Sequence, residues 1–340
     1  MSAQRNGFVT GGIWCLDRNI TVAEWPEEDM ATTVIDVQLS GGGSACNFAV
    51  DIRRLDPAVP VSTMGLLGAD SDGDFLQAVA EANGIAHRFH RTGDAATQAT
   101  NAYASAATGR RTHILFHGAG DLLSPEHFDF SDTSARLFHL GLPGIHRTMD
   151  APWQGEPNGW VAVLRRARAA GFETNLELVA APPERIRALV LPCLPHLTTL
   201  VVNDSEIGAL AGRETVRNGR PDPAACREAA REVLAKGAME TVVVHHTAGA
   251  HLVARDGTQA EQPVVRVPDA ERRGANGAGD AFAAGFHYAR QAGRAPRECL
   301  VMAHATAAAC LRASSPSDAV EGWRTCLSLA ETWGWREMDG

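Results

Sequence analysis

The 340-residue chain has no surplus of positive charge. Its 31 Lys and Arg are outnumbered by 40 Asp and Glu, which leaves a formal charge of −9 and a pI near 5.8. Nucleic-acid affinity rests on basic groups that displace counterions, so nucleic acid is excluded as a main partner. The basic pairs Arg110-Arg111, Arg165-Arg166 and Arg272-Arg273 are scattered and read as solvated surface, the last with an open role beside nucleotide phosphates. No apolar run approaches the ~20 residues that span a bilayer. Residues 1–6 lead directly into a first strand, without the apolar segment of a signal peptide, so no membrane partner and a cytoplasmic location are expected. Seven cysteines lie at 15, 46, 193, 226, 299, 310 and 326. That is an odd number without metal-ligand spacing, which fits a reducing compartment and no disulfide framework. Thirteen histidines are present, but His87/His90 and His245-His246 lack a third ligand for zinc. A Gly-x-Ser-x-Gly hydrolase elbow is missing as well. No repeat, low-complexity linker or sharp boundary divides the chain, so residues 1–340 read as a single domain with a sizeable core.

Apolar strand-like runs recur at Gly7–Trp14, Pro60–Leu66, Leu137–Gly141, Leu197–Val202, Thr241–His246 and Ala250–Val253. Helix-like stretches fall between them at Ser44–Arg54, Asp74–Ala82, Val161–Ala170, Pro223–Ala235 and Asp280–Gln291. Strands alternating with helices predict an α/β fold with a mostly parallel central sheet covered on both faces, a three-layer sandwich. Thr21–Leu39 and Thr97–Phe116 break that rhythm, because they alternate apolar and polar residues as antiparallel strands do. They are expected to form a small β-sheet lid, which would exclude water from a site beneath it. Ordinary edge hairpins are the other reading of these segments.

The densest chemistry lies in Gly274-Ala275-Asn276-Gly277-Ala278-Gly279-Asp280-Ala281-Phe282. Small residues at Gly277, Ala278 and Gly279 let a turn aim several N–H groups at one point, just before an alanine-rich helix. A helix N-terminus with free amides is a phosphate site. Asp280 is a single carboxylate where phosphate would arrive, a placement that suits a base for an attacking hydroxyl. It also suits a plain helix start. Upstream, Asp17 follows the first strand-like run, at the strand end where open α/β sheets bind ligands, and its carboxylate can accept two hydroxyl bonds. Gly41-Gly42-Gly43 allows close backbone approach, and Asn47 on the following helix offers both a donor and an acceptor. Asn203 and Glu206 open a helix after an apolar strand. Their oxygens suit Mg²⁺ held through water, and their spacing equally suits a capping box.

The 276–280 segment resembles the C-terminal signature of the ribokinase-like (PfkB) carbohydrate kinases, Asp-Thr-x-Gly-Ala-Gly-Asp, with Gly274 and Ala275 replacing the first two positions. Gly42, Gly43, Asn47 and Ala49 match the family's Gly-Gly-x-x-x-Asn-x-Ala, although Ser44 stands where the ribokinase subgroup has Lys. Gly65 to Gly73 fits Gly-x-x-Gly-x-Asp-x-x-Gly, in which Asp70 or Ser71 would cap a helix. Gly118 to Pro125 resembles another family turn, with Gly120 in place of its Asn, and Asn203-x-x-Glu206 matches the motif that organises Mg²⁺ and the phosphates.

The resemblance implies a ribokinase-like fold and transfer of the γ-phosphoryl of ATP to a hydroxyl of a sugar or sugar-like alcohol. It implies Asp280 as general base and Gly277, Ala278 and Gly279 as the anion hole. The acceptor would bind at Asp17, Gly42, Gly43 and Asn47. ATP would lie near Asn203, Glu206, His246, Asn276 and His304. His246 departs from the family's Leu-Gly at that turn, which leaves details of the nucleotide site open. The alternatives are a nucleoside kinase of the same family, for which Gly141 leaves room, and a non-catalytic ligand-binding protein on this fold. Relatives activated by K⁺ use the Asp replaced here by Gly274, so little monovalent-cation activation is expected. The lid is the candidate surface for a homodimer.

Overall fold

The structure is a computed structural model and describes residues 5–108, 110–131 and 134–337. Its strands in chain order are β1 (Phe8–Gly12), β2 (Cys15–Val22), β3 (Val34–Gly42), β4 (Val61–Gly68), β5 (Ala86–Thr92), β6 (Ala99–Ser105) and β7 (Arg111–Phe116). They continue with β8 (Leu137–Gly141), β9 (Glu173–Leu176), β10 (Thr199–Asn203), the short pair β11 (Val216–Arg217) and β12 (Arg220–Pro221), then β13 (Thr241–His246), β14 (Gly249–Ala254) and β15 (Gln259–Pro263). The helices are α1 (Ser44–Leu55), α2 (Ser71–Ala82), α3 (Arg147–Asp150), α4 (Gly159–Ala169) and α5 (Pro183–Val190). After these come α6 (Asp204–Ala211), α7 (Pro223–Lys236), α8 (Ala278–Gln291), α9 (Pro296–Cys310) and α10 (Trp323–Trp333).

Strands β5-β4-β1-β8-β9 form a wholly parallel sheet. A second sheet, β10-β13-β14-β15, meets its edge, where the Thr198 N–H donates to the Thr174 carbonyl at 2.9 Å. Period-2 alternation decides what each face buries. Phe8, Leu137, Val201 and Val243 point into one core with α1, α8, α9 and α10. Val9, Phe138, Val202 and Val244 point into another with α4, α6 and α7. Each such fully buried side chain contributes roughly 1.5–3 kcal/mol, and the result is the helix–sheet–helix sandwich expected for a mostly parallel sheet. The strand order reverses beside β1, with β4 and β5 on one side and β8 onward on the other. Ligands of open α/β sheets bind beyond the strand C-termini at such a reversal.

The segments 21–39 and 97–116 contribute to a four-stranded sheet, β3-β2-β6-β7, that stands apart from the central one. Two features differ from expectation. The sheet begins at Cys15 and its first arm runs through Gly42, so Asp17, which follows β1 along the chain, lies inside a lid strand. The central pairing, β2 with β6, is parallel, and only β2–β3 and β6–β7 are antiparallel. Local alternation cannot report this, because both pairings share the same period. Helix α2 also starts earlier than the Asp74 expected, at Ser71. Asp70 caps it by accepting the Gly73 N–H at 2.8 Å, and it also accepts the Thr97 N–H at 2.7 Å, tying the helix to the lid's second arm.

Candidate active site

Gly277 takes a left-handed conformation (φ 74°) and serves as the N-cap of α8 without a capping side chain. A β-carbon there would lie 2.6 Å from Pro316 Cβ, so glycine is required twice over. The Ala281 N–H closes back on the Gly277 carbonyl at 2.9 Å. The N–H groups of Gly279 and Asp280 take no acceptor among the described residues, as the first turn of a helix predicts. The Asn276 carbonyl accepts the Cys310 thiol at 3.4 Å, which gives Asn276 a part in bracing the turn.

Asp280 projects from this first turn toward α1, where its Oδ2 accepts the Asn47 Nδ2 amide at 2.8 Å. Burial pushes the Asp280 carboxyl up to about 6, opposed by that amide bond. Asn47 Oδ1 is buried without a partner. Asp17 reaches the same region from β2. Burial raises it to about 6, the Cys15 thiol and Thr100 hydroxyl lower it, and the Asp280 charge raises it again. Gly42 lies against the Asp17 carboxylate so closely that any side chain would overlap it. Gly43, at φ 88°, packs on the Ile13 carbonyl, where a β-carbon would sit 2.6 Å away. Asp17, Gly42, Gly43, Asn47 and Asp280 therefore converge at the β1/β8 reversal, although 233 residues separate Asn47 from Asp280.

Asn203 and Glu206 form a reciprocal capping box at the start of α6. Asn203 Oδ1 accepts the Glu206 N–H and Glu206 Oε2 accepts the Asn203 N–H, both at 2.9 Å. The capping geometry is present, and it leaves the second carboxylate oxygen of Glu206 without a hydrogen bond among the described residues. Burial raises the Glu206 carboxyl to about 7. A cleft of about 490 Å³ opens beside it, lined by Asn203, Ala278, Gly279, His245, His246, Phe282, His304, Arg272 and Arg336 among others. Phe282 lies edge-on to His304, with ring centroids 5.0 Å apart, and tilted to His245 at 4.7 Å. His246 Nδ1 accepts the Ala248 and Gly249 N–H groups, both at 3.2 Å, so the ring braces the β13–β14 turn while bordering the cleft.

Sequence reasoning missed Glu177, Arg336 and Phe282. Glu177 follows β9 at the sheet's C-terminal edge, its N–H bonded to the Leu140 carbonyl at 2.8 Å. It is 7% exposed, and its Oε2 has no hydrogen-bond partner. Burial, then the charges of Asp280 and Glu206, hold its carboxyl well above the usual range. The His139 ring, pushed down to about 3 by burial, stands 3.9 Å from Oε2 as a neutral neighbour. Gly141 makes room for this arrangement. A β-carbon there would meet Ser44 Oγ at 2.6 Å and Glu177 Cβ at 3.1 Å. The reasoning that singled out Asp17, a carboxylate at a strand's C-terminal end, could have found Glu177. Its strand is only four residues long, three of them polar, too short a signal to read.

Comparison with known proteins identifies the family and agrees with the fold. The pattern of the pfkB family carbohydrate kinases matches residues 9–322. A 1-phosphofructokinase from Xanthomonas campestris pv. campestris is 28% identical over 252 residues, covering 74% of this chain and 73% of that protein. An adenosine kinase from Saccharomyces cerevisiae is 26% identical over 257 residues, covering 74% and 72%. In fold, the chain resembles an Arabidopsis thaliana ribokinase complexed with ribose and ATP, with a TM-score of 0.74 at 19% identity over 96% of this chain and 99% of that one. With nearly its whole length matched, the chain belongs to the pfkB family of carbohydrate kinases and is a phosphotransferase.

Proposed function

We propose that the protein transfers the γ-phosphoryl of ATP to a hydroxyl of a sugar or sugar-like alcohol bound between Asp17, Gly42, Gly43, Asn47 and Asp280. The observation that carries this reading is Asp280 itself, a half-buried carboxylate bonded to Asn47 and set beside the free N–H groups that open α8. Asp280 accepts the acceptor's hydroxyl proton as that oxygen bonds to the γ-phosphorus. The bond from γ-phosphorus to the β–γ bridging oxygen breaks, and ADP leaves with the electron pair. The N–H groups of Gly279 and Asp280, presented by Gly277 and Ala278, hold charge on the transferring phosphoryl, where fixed dipoles act without reorganising. Asn47 orients Asp280, and the lid excludes water. The cleft bordered by His246, His304 and Phe282 would take the nucleoside of ATP, with Asn276 bracing the phosphate turn. A coupled ADP-release screen across sugars, polyols and nucleosides tests the reading, and no turnover of any acceptor would overturn it. A nucleoside acceptor is the second reading, favoured by the adenosine kinase similarity, whereas the room expected at Gly141 is taken by Ser44 Oγ and Glu177.

Asn203 and Glu206 fit Mg²⁺, a hard cation that keeps most of its waters and needs one or two protein oxygens. When bound, the ion would offset the triphosphate charge. Glu206→Gln keeps a side chain able to cap α6, so its melting temperature should stay near that of the parent. Its apparent Mg²⁺ affinity should fall by about 10- to 100-fold, with kcat falling more than acceptor affinity. A Mg²⁺ titration of initial rates measures this. Unchanged Mg²⁺ dependence with lower stability would leave Glu206 as a cap only.

Monovalent cations should activate weakly or not at all, because Gly274 offers no side chain beside the turn and hard cations need charged oxygens. Rates with and without KCl at constant ionic strength check this, and a several-fold K⁺-specific rise in kcat would overturn it. The lid is the proposed homodimer surface. Val34, Ile35, Val37 and Leu39 on β3 and Ile114, Leu115 and Phe116 on β7 are each about half exposed, and a second copy would cover these edges. Light scattering should give a dimer for the parent and a monomer for Val37→Glu.

A further inference from the structure

Charge is distributed unequally between the two halves of this site. Asp17, Glu177 and Glu206 each feel the charge of Asp280, and Asp51 lies buried nearby, where Ser317 and Arg54 oppose the effect of burial on its carboxyl. The groups that hold the first four are neutral: the Asn47 amide, the Cys15 thiol, the Thr100 hydroxyl, the Asn203 backbone and the uncharged His139 ring. No Arg or Lys among the described residues acts on any of the four. The chain contains one lysine, Lys236, whose Nζ is bonded to the Leu210 carbonyl between α6 and α7.

Arginines on the acceptor side are already opposed by acids. Arg18 pairs with Asp72, Arg91 with Asp74, Arg147 with Asp121 and Arg185 with Asp150. Arg272 and Arg336, in contrast, line the nucleotide cleft. Hydrogen-bonding capacity shows the same bias. Among the described residues Asn47 Oδ1 and Glu177 Oε2 are buried without a partner, Ser44 Oγ can serve either way, and the one ring nitrogen facing Glu177 Oε2, His139 Nε2, stands 3.9 Å away, beyond hydrogen-bond reach.

We propose that the acceptor site takes a polyol presenting O–H or N–H donors and no anionic group, so that sugar phosphates and sugar acids are rejected. This rests on the acceptor site proposed above and narrows the class it takes. A phosphate or carboxylate brings only acceptor atoms to a rim already rich in acceptors. It also brings like charge to the Asp17, Glu177 and Asp280 carboxyl groups, on which no Arg or Lys among the described residues acts, and rejection by repulsion is a common source of specificity. Of the three enzyme activities named among the relatives, that of the 1-phosphofructokinase is the one this rim disfavours.

The test uses matched pairs: ribose and ribose 5-phosphate, fructose and fructose 1-phosphate, glucose and gluconate, adenosine and AMP. Each is measured for ADP release with MgATP and for thermal shift without nucleotide. We expect every acceptor that is used to be the uncharged member, favoured at least 100-fold in kcat/KM, with anionic members shifting melting no more than a salt control. A larger stabilisation by ribose 5-phosphate than by ribose, or turnover of any sugar phosphate above its parent, overturns the proposal. Loss of that activity in Arg147→Ala or Arg185→Ala would then identify the cation responsible. If neutral members bind but none is phosphorylated, the kinase reading fails while the exclusion stands.

Glu177→Gln provides a readout that needs no ligand. A carboxyl raised in the folded state binds more protons folded than unfolded, so its ionisation lowers stability as pH rises above the unfolded value. Removing that charge should raise the melting temperature of the free protein at pH 8, with the gain shrinking toward pH 5. An unchanged or lower value at pH 8 means that the rim carries no unbalanced negative charge, and the proposal falls.

Discussion

Asp280→Asn is expected to lower kcat by about 10²–10⁴, the usual consequence of losing a general base, while fold and ATP affinity stay close to those of the parent. Asparagine has nearly the same shape, and its Oδ1 can still accept the Asn47 amide that the carboxylate accepts at 2.8 Å. What it cannot do is take a proton. Stopped-time assays at saturating acceptor, paired with calorimetric titration of ATP, separate the chemical loss from a binding loss. A variant retaining more than about a tenth of kcat would place the base elsewhere, with Asp17 and Glu177 as the neighbouring carboxylates to examine. The pH dependence follows from the same residue. Burial holds the Asp280 carboxyl near 6, and only the ionised form can act as base. Parent kcat/KM should therefore rise with pH through about 6 and level off above it. The asparagine variant should lack that limb.

Gly277→Ala is expected to be nearly as damaging, for a different reason. The residue sits at φ 74°, and an added β-carbon would lie 2.6 Å from Pro316 Cβ and 2.7 Å from its carbonyl oxygen. A left-handed non-glycine residue costs of order 1–3 kcal/mol, and relief requires rotating the turn that aims the N–H groups of Gly279 and Asp280. Misdirecting one such donor lowers kcat by about 10²–10³. Gly279→Ala is the matched comparison. Its β-carbon would meet only the His245 ring, at 3.8 Å and 4.0 Å, which is ordinary contact. The Gly279 variant should keep the parent's melting temperature, and any loss in its kinetics should fall on the KM for ATP, because phosphate must approach that surface. Should Gly277→Ala retain both stability and kcat, the turn does not hold the transferring phosphoryl.

Much of this molecule was legible in its sequence, and the legible part is local. Alternation marked the lid segments, and the 241–246 run gave β13 residue for residue. Small residues before an alanine-rich stretch marked the turn at Gly277, while Asn203 and Glu206 announced the box that opens α6. Each signal lies within a few residues, because strand period, helix caps and left-handed glycine are properties of neighbours along the chain. The sequence by itself therefore determined the layered α/β architecture and a short roster of chemical groups. Only the tertiary structure decided which of those groups meet. It placed Asp17 on a lid strand, bonded Asn47 to Asp280 across 233 residues, and paired β2 with β6 in parallel. It also brought Glu177 to the rim from a strand too short to notice. The order of strands in a sheet is set by burial of both its faces at once, a sum over the whole core that no window of sequence contains.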